Sequence, residues 1–325
     1  MFERKWIKTV TKMQKTTLPA GRFLIDVPKE AEIDWGRQGF EWAGPFIQTF
    51  PVPAPEMLKE ALEAEADEWR VPHKEGGTQL EKIIAGSIPN SWFTYYWNDR
   101  EIKFRNVVRV KGYFWDCGRG FVFTSSAKNH PEGHLETSNL LEKQFKRIRL
   151  RDPQEIPREP GFCFDHAYFR GEPAHDPNEH IAMHITFPSN PDVYVRFCTD
   201  TVNEAGANGR KLLERVGASS PLHALMGVRR LRGQERKVGP YQGQELVERV
   251  REANLTVGYT FMWEYQGQAE SATAPSLMLE MFTGYGEPPV NSSLSRKQAL
   301  ALWDAILDSI RYRTPETPAS EPEPR

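Results

Sequence analysis

The chain has 325 residues, 39% hydrophobic and 26% charged, with a formal net charge of -2 at pH 7. That length exceeds the roughly 100–200 residues of one compact domain, so two domains are expected. The balanced charge excludes a global field that would recruit nucleic acid or an anionic membrane surface, and no stretch reaches the ~20 apolar residues of a spanning helix.

Residues 1–20 are basic but lack the apolar run of a secretion signal, so the chain as written predicts a soluble protein that stays where it is made, or a mature or truncated form. "GRFLIDVP" (21–28) then opens the first half as an apolar segment containing one Asp. "PEMLKEALEAEADEW" (55–69) predicts a helix, with Pro55 in its first turn and Leu58, Ala61, Leu62, Ala66 and Trp69 on one face. "SWFTYYW" (91–97) and "NVVRVKGYFW" (106–115) read as strands, continued by the aromatic run "KGYFWDCGRGFVFTSS" (111–126). "NLLEKQFKRIRLRDP" (139–153) closes the half with Leu141, Phe145 and Ile148 at helical spacing. Three prolines among charges make "LRDPQEIPREPG" (150–161) an extended linker.

The second half repeats the order. "GFCFDHAYF" (161–169) corresponds to "GRFLIDVP", followed by strands in "HIAMHITF" (180–187) and "VYVRFCTD" (193–200). A helix is expected around Leu212, Leu213 and Val216, closed by Gly217. The aromatic runs "VGYTFMWEYQG" (257–267) and "SLMLEMFTG" (276–284) precede "ALWDAILDSIRYRTP" (301–315), where Ser295 and Gln298 form a capping box for the final helix. Aligning the two R-x-R pairs sets Leu141 against Trp303, Phe145 against Leu307 and Ile148 against Ile310. The pattern predicts an α+β fold of two similar domains, residues 18–152 and 158–313. Each is a mainly antiparallel sheet with flanking helices, and together they point to an internal duplication. Four prolines and no large apolar residue make 314–325 a disordered tail.

Reactive residue types concentrate in two places. Cys163, Asp165 and His166 fall within four positions, but read as one strand they alternate, sending Cys163 and His166 to opposite faces. A cysteine–histidine dyad needs both groups on one side at ~3 Å, so packing is the preferred reading of this stretch. His180 and His184 have the spacing of a helical zinc site but lack its glutamate and sit in a strand-like context. His175 in the loop before them is a further candidate ligand. Cys117, Cys163 and Cys198 have no metal spacing, and their odd number leaves any disulfide pairing open. There is no G-x-S-x-G elbow, phosphate loop or dinucleotide fingerprint. "GVRRLRGQERKVG" (227–239) is basic but carries no aromatic for base stacking, which favours a solvated strand-and-turn face over a nucleic-acid surface.

"AGRFLIDVPKEAEI" (20–33), "GFCFDHAYF", "LRGQERKVGPYQGQE" (231–245) and "LSRKQALALWDAILDSIRYR" (294–313) occur in an order that resembles the two-domain immunity proteins of type VI secretion, across most of residues 18–313. The resemblance implies a non-enzymatic inhibitor without cofactor or metal. Its two α+β domains would grip a cognate phospholipase effector like a claw, occluding the active-site entrance or locking the lid. It also implies a periplasmic location, which residues 1–20 do not advertise, and it transfers no residue-level interface. Two alternatives remain open: a hydrolase sited near Cys163/His166 or His175/His180/His184, and a ligand- or lipid-binding module walled by the aromatic strands.

Overall fold

The computed structural model describes residues 14–39, 46–70, 78–97, 106–172, 178–217 and 227–315. His175, most of the basic N-terminus and the tail beyond residue 315 lie outside them. The first half runs β1 (Lys15–Ala20), β2 (Phe23–Pro28), β3 (Glu32–Gly39), β4 (Phe46–Pro51), α1 (Pro55–Arg70), β5 (Gln79–Ala85), β6 (Ser91–Trp97), β7 (Val107–Asp116), β8 (Arg119–Lys128), α2 (Pro131–Phe145) and β9 (Ile148–Leu150). The second runs β10 (Gly161–Phe164), β11 (Ala167–Arg170), β12 (His180–Thr186), β13 (Tyr194–Asp200), the short helices α3 (Glu204–Ala207) and α4 (Leu212–Val216), β14 (Val228–Val238), β15 (Tyr241–Arg251), β16 (Val257–Tyr265), β17 (Ser276–Thr283), α5 (Arg296–Leu307) and β18 (Arg311–Tyr312).

Local chemistry accounts for the helices. Leu58 and Leu62 of α1 are buried against Val52, Tyr113 and Val122, and Ala66 is buried on the same face, whereas Ala61, expected there too, is exposed. Ser295 and Gln298 form the reciprocal capping box of α5, and Gly217 (φ 69°) follows α4.

The strand order of the large sheet is symmetric about its centre. The large sheet has twelve strands in the order β14-β15-β16-β17-β13-β12-β3-β4-β8-β7-β6-β5. From the central β12/β3 pair outward, the two sides have equivalent order, each a strand pair followed by a four-strand meander. All the ladders between named strands are antiparallel, as an α+β fold with mainly antiparallel sheets requires.

The opening hairpins are exchanged between the halves. The β1–β2 hairpin pairs through β2 with β18 at the far end of the chain, while the β10–β11 hairpin pairs through β11 with β9. Leu18, Phe23, Ile25 and Val27 accordingly pack in the core of the second half, with Phe197, Trp263, Leu279 and Trp303. Phe162, Phe164 and Phe169 pack in the core of the first, with Phe93, Phe121, Phe123 and Phe145. Burying each such side chain contributes about 1.5–3 kcal/mol, so each half receives a substantial share of its core from the other.

The hairpins meet where Gly21 and Cys163 exchange backbone hydrogen bonds of 2.8 and 2.9 Å. Gly21 has φ +59°, and a Cβ there would sit 3.1 Å from the Phe162 ring, so both conformation and contact call for glycine. Beside it Arg22 makes a buried bidentate pair with Glu179, at 2.8 and 2.6 Å.

The proline-rich segment 150–161 exposes many of its side chains but is pinned along its length. The buried Arg313 guanidinium donates to the carbonyls of Pro157 (2.8 Å), Glu159 (2.9 Å) and Gly161. Its counterpart Arg151 donates to those of Pro153 (2.8 Å), Asp165 (2.9 Å) and Ala167 (3.1 Å). Charge-assisted bonds to several carbonyls at once hold the segment against the body.

The basic run also differs from the solvated face expected of it. β14 is an edge strand, yet Arg236 bonds the fully buried Glu245 (2.6 Å), Asp304 (2.7 Å) and Asp308 (2.8 Å), while Arg232 reaches Asp304 at 2.8 Å. The Trp303 indole N–H donates to Glu245 at 2.7 Å. Much of the run's charge is therefore spent on tying β14 to β15 and α5.

Three outcomes are expected. A fragment spanning 29–171, which keeps β10 and β11 with the core they complete, should unfold cooperatively on heating, whereas one ending at 152 should not. Glu245→Ala, which leaves two arginines without their buried counter-charge, should lower stability by about 3–5 kcal/mol in urea titration. Burial acts to raise the Asp304 pKa, but hydrogen bonds from Arg232 and Arg236 outweigh it and hold the carboxyl below its ordinary value. Its stabilisation is thus present above the unfolded value of about 3.9 and lost as pH falls through the lower folded value, so the gap between wild type and Asp304→Asn should close on acidification below pH ~4.

Candidate functional site

A break in the ladder creates the main cleft. β3 pairs with β12 from Glu32 to Gly39 and β4 pairs with β8 from Phe46 to Pro51, but among the described residues β3 and β4 pair with each other only at Gly39 and Phe46. Part of the divergence is encoded in β3. The register against β12 jumps from Gln38–Ile181 to Trp35–Met183, setting Gly36 and Arg37 opposite Ala182. A two-against-one bulge bends its strand and increases local twist. Gly36 suits the site, since a Cβ there would sit 3.1 Å from the His184 ring.

The resulting cleft has a volume of about 860 Å³, with residues 33–36 forming one wall and 47–50 the other. Trp35 packs against both large cores, so this wall is anchored at their junction. Arg119, Asp165 and His166 complete the lining.

Asp165 and His166 reach the cleft because "GFCFDHAYF" is not one strand. It is a hairpin, β10–β11, with Asp165 and His166 as its two-residue turn and Cys163 paired to Tyr168. Asp165 takes φ +28°, a conformation that two-residue hairpin turns demand and Asp tolerates. The alternation expected across 162–168 is therefore broken at the turn. Gly21–Arg22 forms the equivalent turn of the β1–β2 hairpin.

The Asp165 carboxylate accepts from Arg119 Nη2 at 2.8 Å and from the Thr49 hydroxyl, and its other oxygen lies 2.5 Å from His166 Nδ1. An Asp–His pair is two-thirds of a hydrolytic triad, but the nucleophile is not supplied. Thr49 directs its hydroxyl at the carboxylate rather than at the imidazole. Cys163 is buried, and burial pushes its thiol pKa up, away from the reactive thiolate.

The other sequence candidates lie apart. His180 pairs with Asp200 across to β13 at 3.4 Å, while His184 faces Asp34 across to β3 at 3.8 Å. Among the described residues no group of three or more His, Cys, Asp or Glu side chains is placed to hold a metal ion. Cys117, Cys163 and Cys198 are all free thiols. Sequence reading missed Arg119 and Thr49, which lie far along the chain from Asp165 and have no local signature. It also missed the arginine–carboxylate network, although Asp304 and Asp308 at helical spacing, opposite alternating arginines of a strand, were a usable signal.

Residues 155–315 match the family described as the Tle cognate immunity protein 4 C-terminal domain. Among solved structures, the chain is similar to the immunity protein TplEi of the type VI secretion system (T6SS) of Pseudomonas aeruginosa. In the apo form the identity is 29%, with coverage of 94% of this chain and 100% of that one and a TM-score of 0.75. In TplEi complexed with an "L" peptide the identity is 30%, the coverage 92% and 98%, and the TM-score 0.71. A structure of a Tle4–Tli4 complex matches at 29% identity over 93% of this chain and 98% of that one, with a TM-score of 0.74. No match was found among curated proteins. Since the likeness to TplEi spans both halves and all but a few residues of that protein, the chain belongs to the Tle cognate immunity protein 4 family of type VI secretion.

Proposed function

We propose that this protein binds a cognate type VI phospholipase effector and neutralises it by stoichiometric association rather than by chemistry. The observation that carries the reading is the family match, sustained across both halves and including a relative solved in a Tle4–Tli4 complex. The cleft is consistent with it, because the Asp165 carboxylate is engaged by Arg119, Thr49 and His166. We assign the encounter to the periplasm on the strength of family membership.

Protection against a lethal enzyme calls for nanomolar affinity or better, about -12 kcal/mol, and hence an interface of roughly 1,600 Å² or more. The large area favours engagement by both proposed domains, 18–152 and 158–313, whose exchanged hairpins fix their mutual position. Direct occlusion of the effector's entrance needs only overlap with it. Locking a rare closed lid needs about 5.5 kcal/mol of preference for the closed state, so occlusion is the less demanding route.

Co-expression with the phospholipase encoded beside this gene should restore growth and yield a co-purifying complex; a free effector and no rescue would sink the reading. Cys163→Ser should cost about 1–3 kcal/mol of stability through its buried hydroxyl and leave inhibition intact. Loss of inhibition in a folded Cys163→Ser protein would instead point to thiol chemistry.

A further inference from the structure

We infer that the cleft between β3 and β4 receives an extended segment of the effector as an added strand, completing the ladder that the sheet leaves open there. The inference rests on the immunity reading and specifies how contact is made.

The first support is the unused backbone. A strand in the interior of a sheet bonds neighbours on both edges. β3 has β12 on one edge and β4 has β8 on one edge, but beyond Gly39–Phe46 no ladder among the described residues occupies the edges they turn towards each other. Residues 33–36 and 47–50 line the cleft as two consecutive runs, so its walls are the strands themselves rather than isolated side chains. At the usual strand rise four residues extend about 13 Å, enough to pair with a segment of comparable length on both sides.

The second support is the contrast with the sheet's outer edges. β5 and β14 each carry a bulge, between Leu80 and Lys82 and between Arg230 and Arg232, and β14 is rich in charge. Those are the devices by which proteins prevent unwanted strand pairing. The facing walls of the cleft instead offer Ile33, Trp35, Ile47 and Phe50, with Gln48 exposed and the Asp34 carboxylate in solvent.

The third support is the occupant's chemistry. A helix satisfies its own backbone and would leave both edges unpaired, and an acyl chain has no groups to offer them. An extended peptide pairs with both edges and places alternate side chains on opposite faces of the sheet. A relative of 30% identity has itself been solved with a peptide.

The test uses the full-length chain and the phospholipase encoded beside its gene, with hydrogen–deuterium exchange measured on the free chain and on the complex. The cleft-facing amides in 33–36 and 47–50, the alternate ones not already bonded to β12 or β8, should slow by at least ~100-fold on binding. Gln48→Trp, an exposed position where a large ring fills the cleft, should weaken binding by ~30-fold or more, while Met57→Trp on the exposed face of α1 should not. A complex that forms with those amides unchanged, or a folded Gln48→Trp protein that binds like wild type, overturns strand addition and leaves the immunity function standing. No complex at all overturns both.

Discussion

The exchange of hairpins is the constraint on which the architecture depends. Neither hydrophobic core is complete without residues from the opposite half, since Phe23, Ile25 and Val27 close one and Phe162, Phe164 and Phe169 close the other. The crossing point is made by backbone bonds between Gly21 and Cys163 and by the buried Arg22–Glu179 pair. A buried ion pair is a weak source of net stability but is strongly penalised when one partner is lost, so it specifies this crossing over looser alternatives. The central β12/β3 ladder, framed by the exchange, then becomes a rigid spine for the whole sheet.

Symmetry with one departure explains where the cleft lies. In the second half β12 and β13 pair along seven positions, from His180–Asp200 to Thr186–Tyr194. The equivalent strands of the first half, β3 and β4, meet at one position and then part. The turns show the same divergence. Arg22 is buried against Glu179, whereas Asp165 and His166 sit at the cleft with Arg119 and Thr49. Of the two strand pairs flanking the centre of the sheet, β12–β13 is thus closed and β3–β4 is open.

Much of this was legible in the amino-acid order, and the remainder fails for identifiable reasons. Helix α5 was readable from its capping box and apolar spacing, because those signals act within one or two turns. The R-x-R alignment set Arg151 against Arg313, and both guanidiniums gather carbonyls around the 150–161 segment. The hairpin at 165–166 was missed because Asp–His is a weak turn signal, although the glycine at the equivalent position 21 was available. The exchange itself leaves no local trace, since a hairpin has the same pattern whichever core it fills. Asp165 was recognised as chemically notable, but its partners Arg119 and Thr49 come from strands that only the tertiary fold brings near.

The pairing of β18 with β2 sets a schedule for how the molecule comes into being. Arg311 bonds Asp26, and Ser309 bonds the same residue's backbone across a separation of 283 residues. Synthesis proceeds from the N-terminus, so the first hairpin emerges early and waits for a strand that is made almost last. Contacts of such separation form slowly, because the loop must close before they are rewarded. The core that Phe23 and Val27 help to fill therefore closes only when synthesis is nearly finished, even though the 29–171 unit can assemble earlier. Late closure leaves those side chains uncovered for much of synthesis, a period in which the chain depends on chaperones.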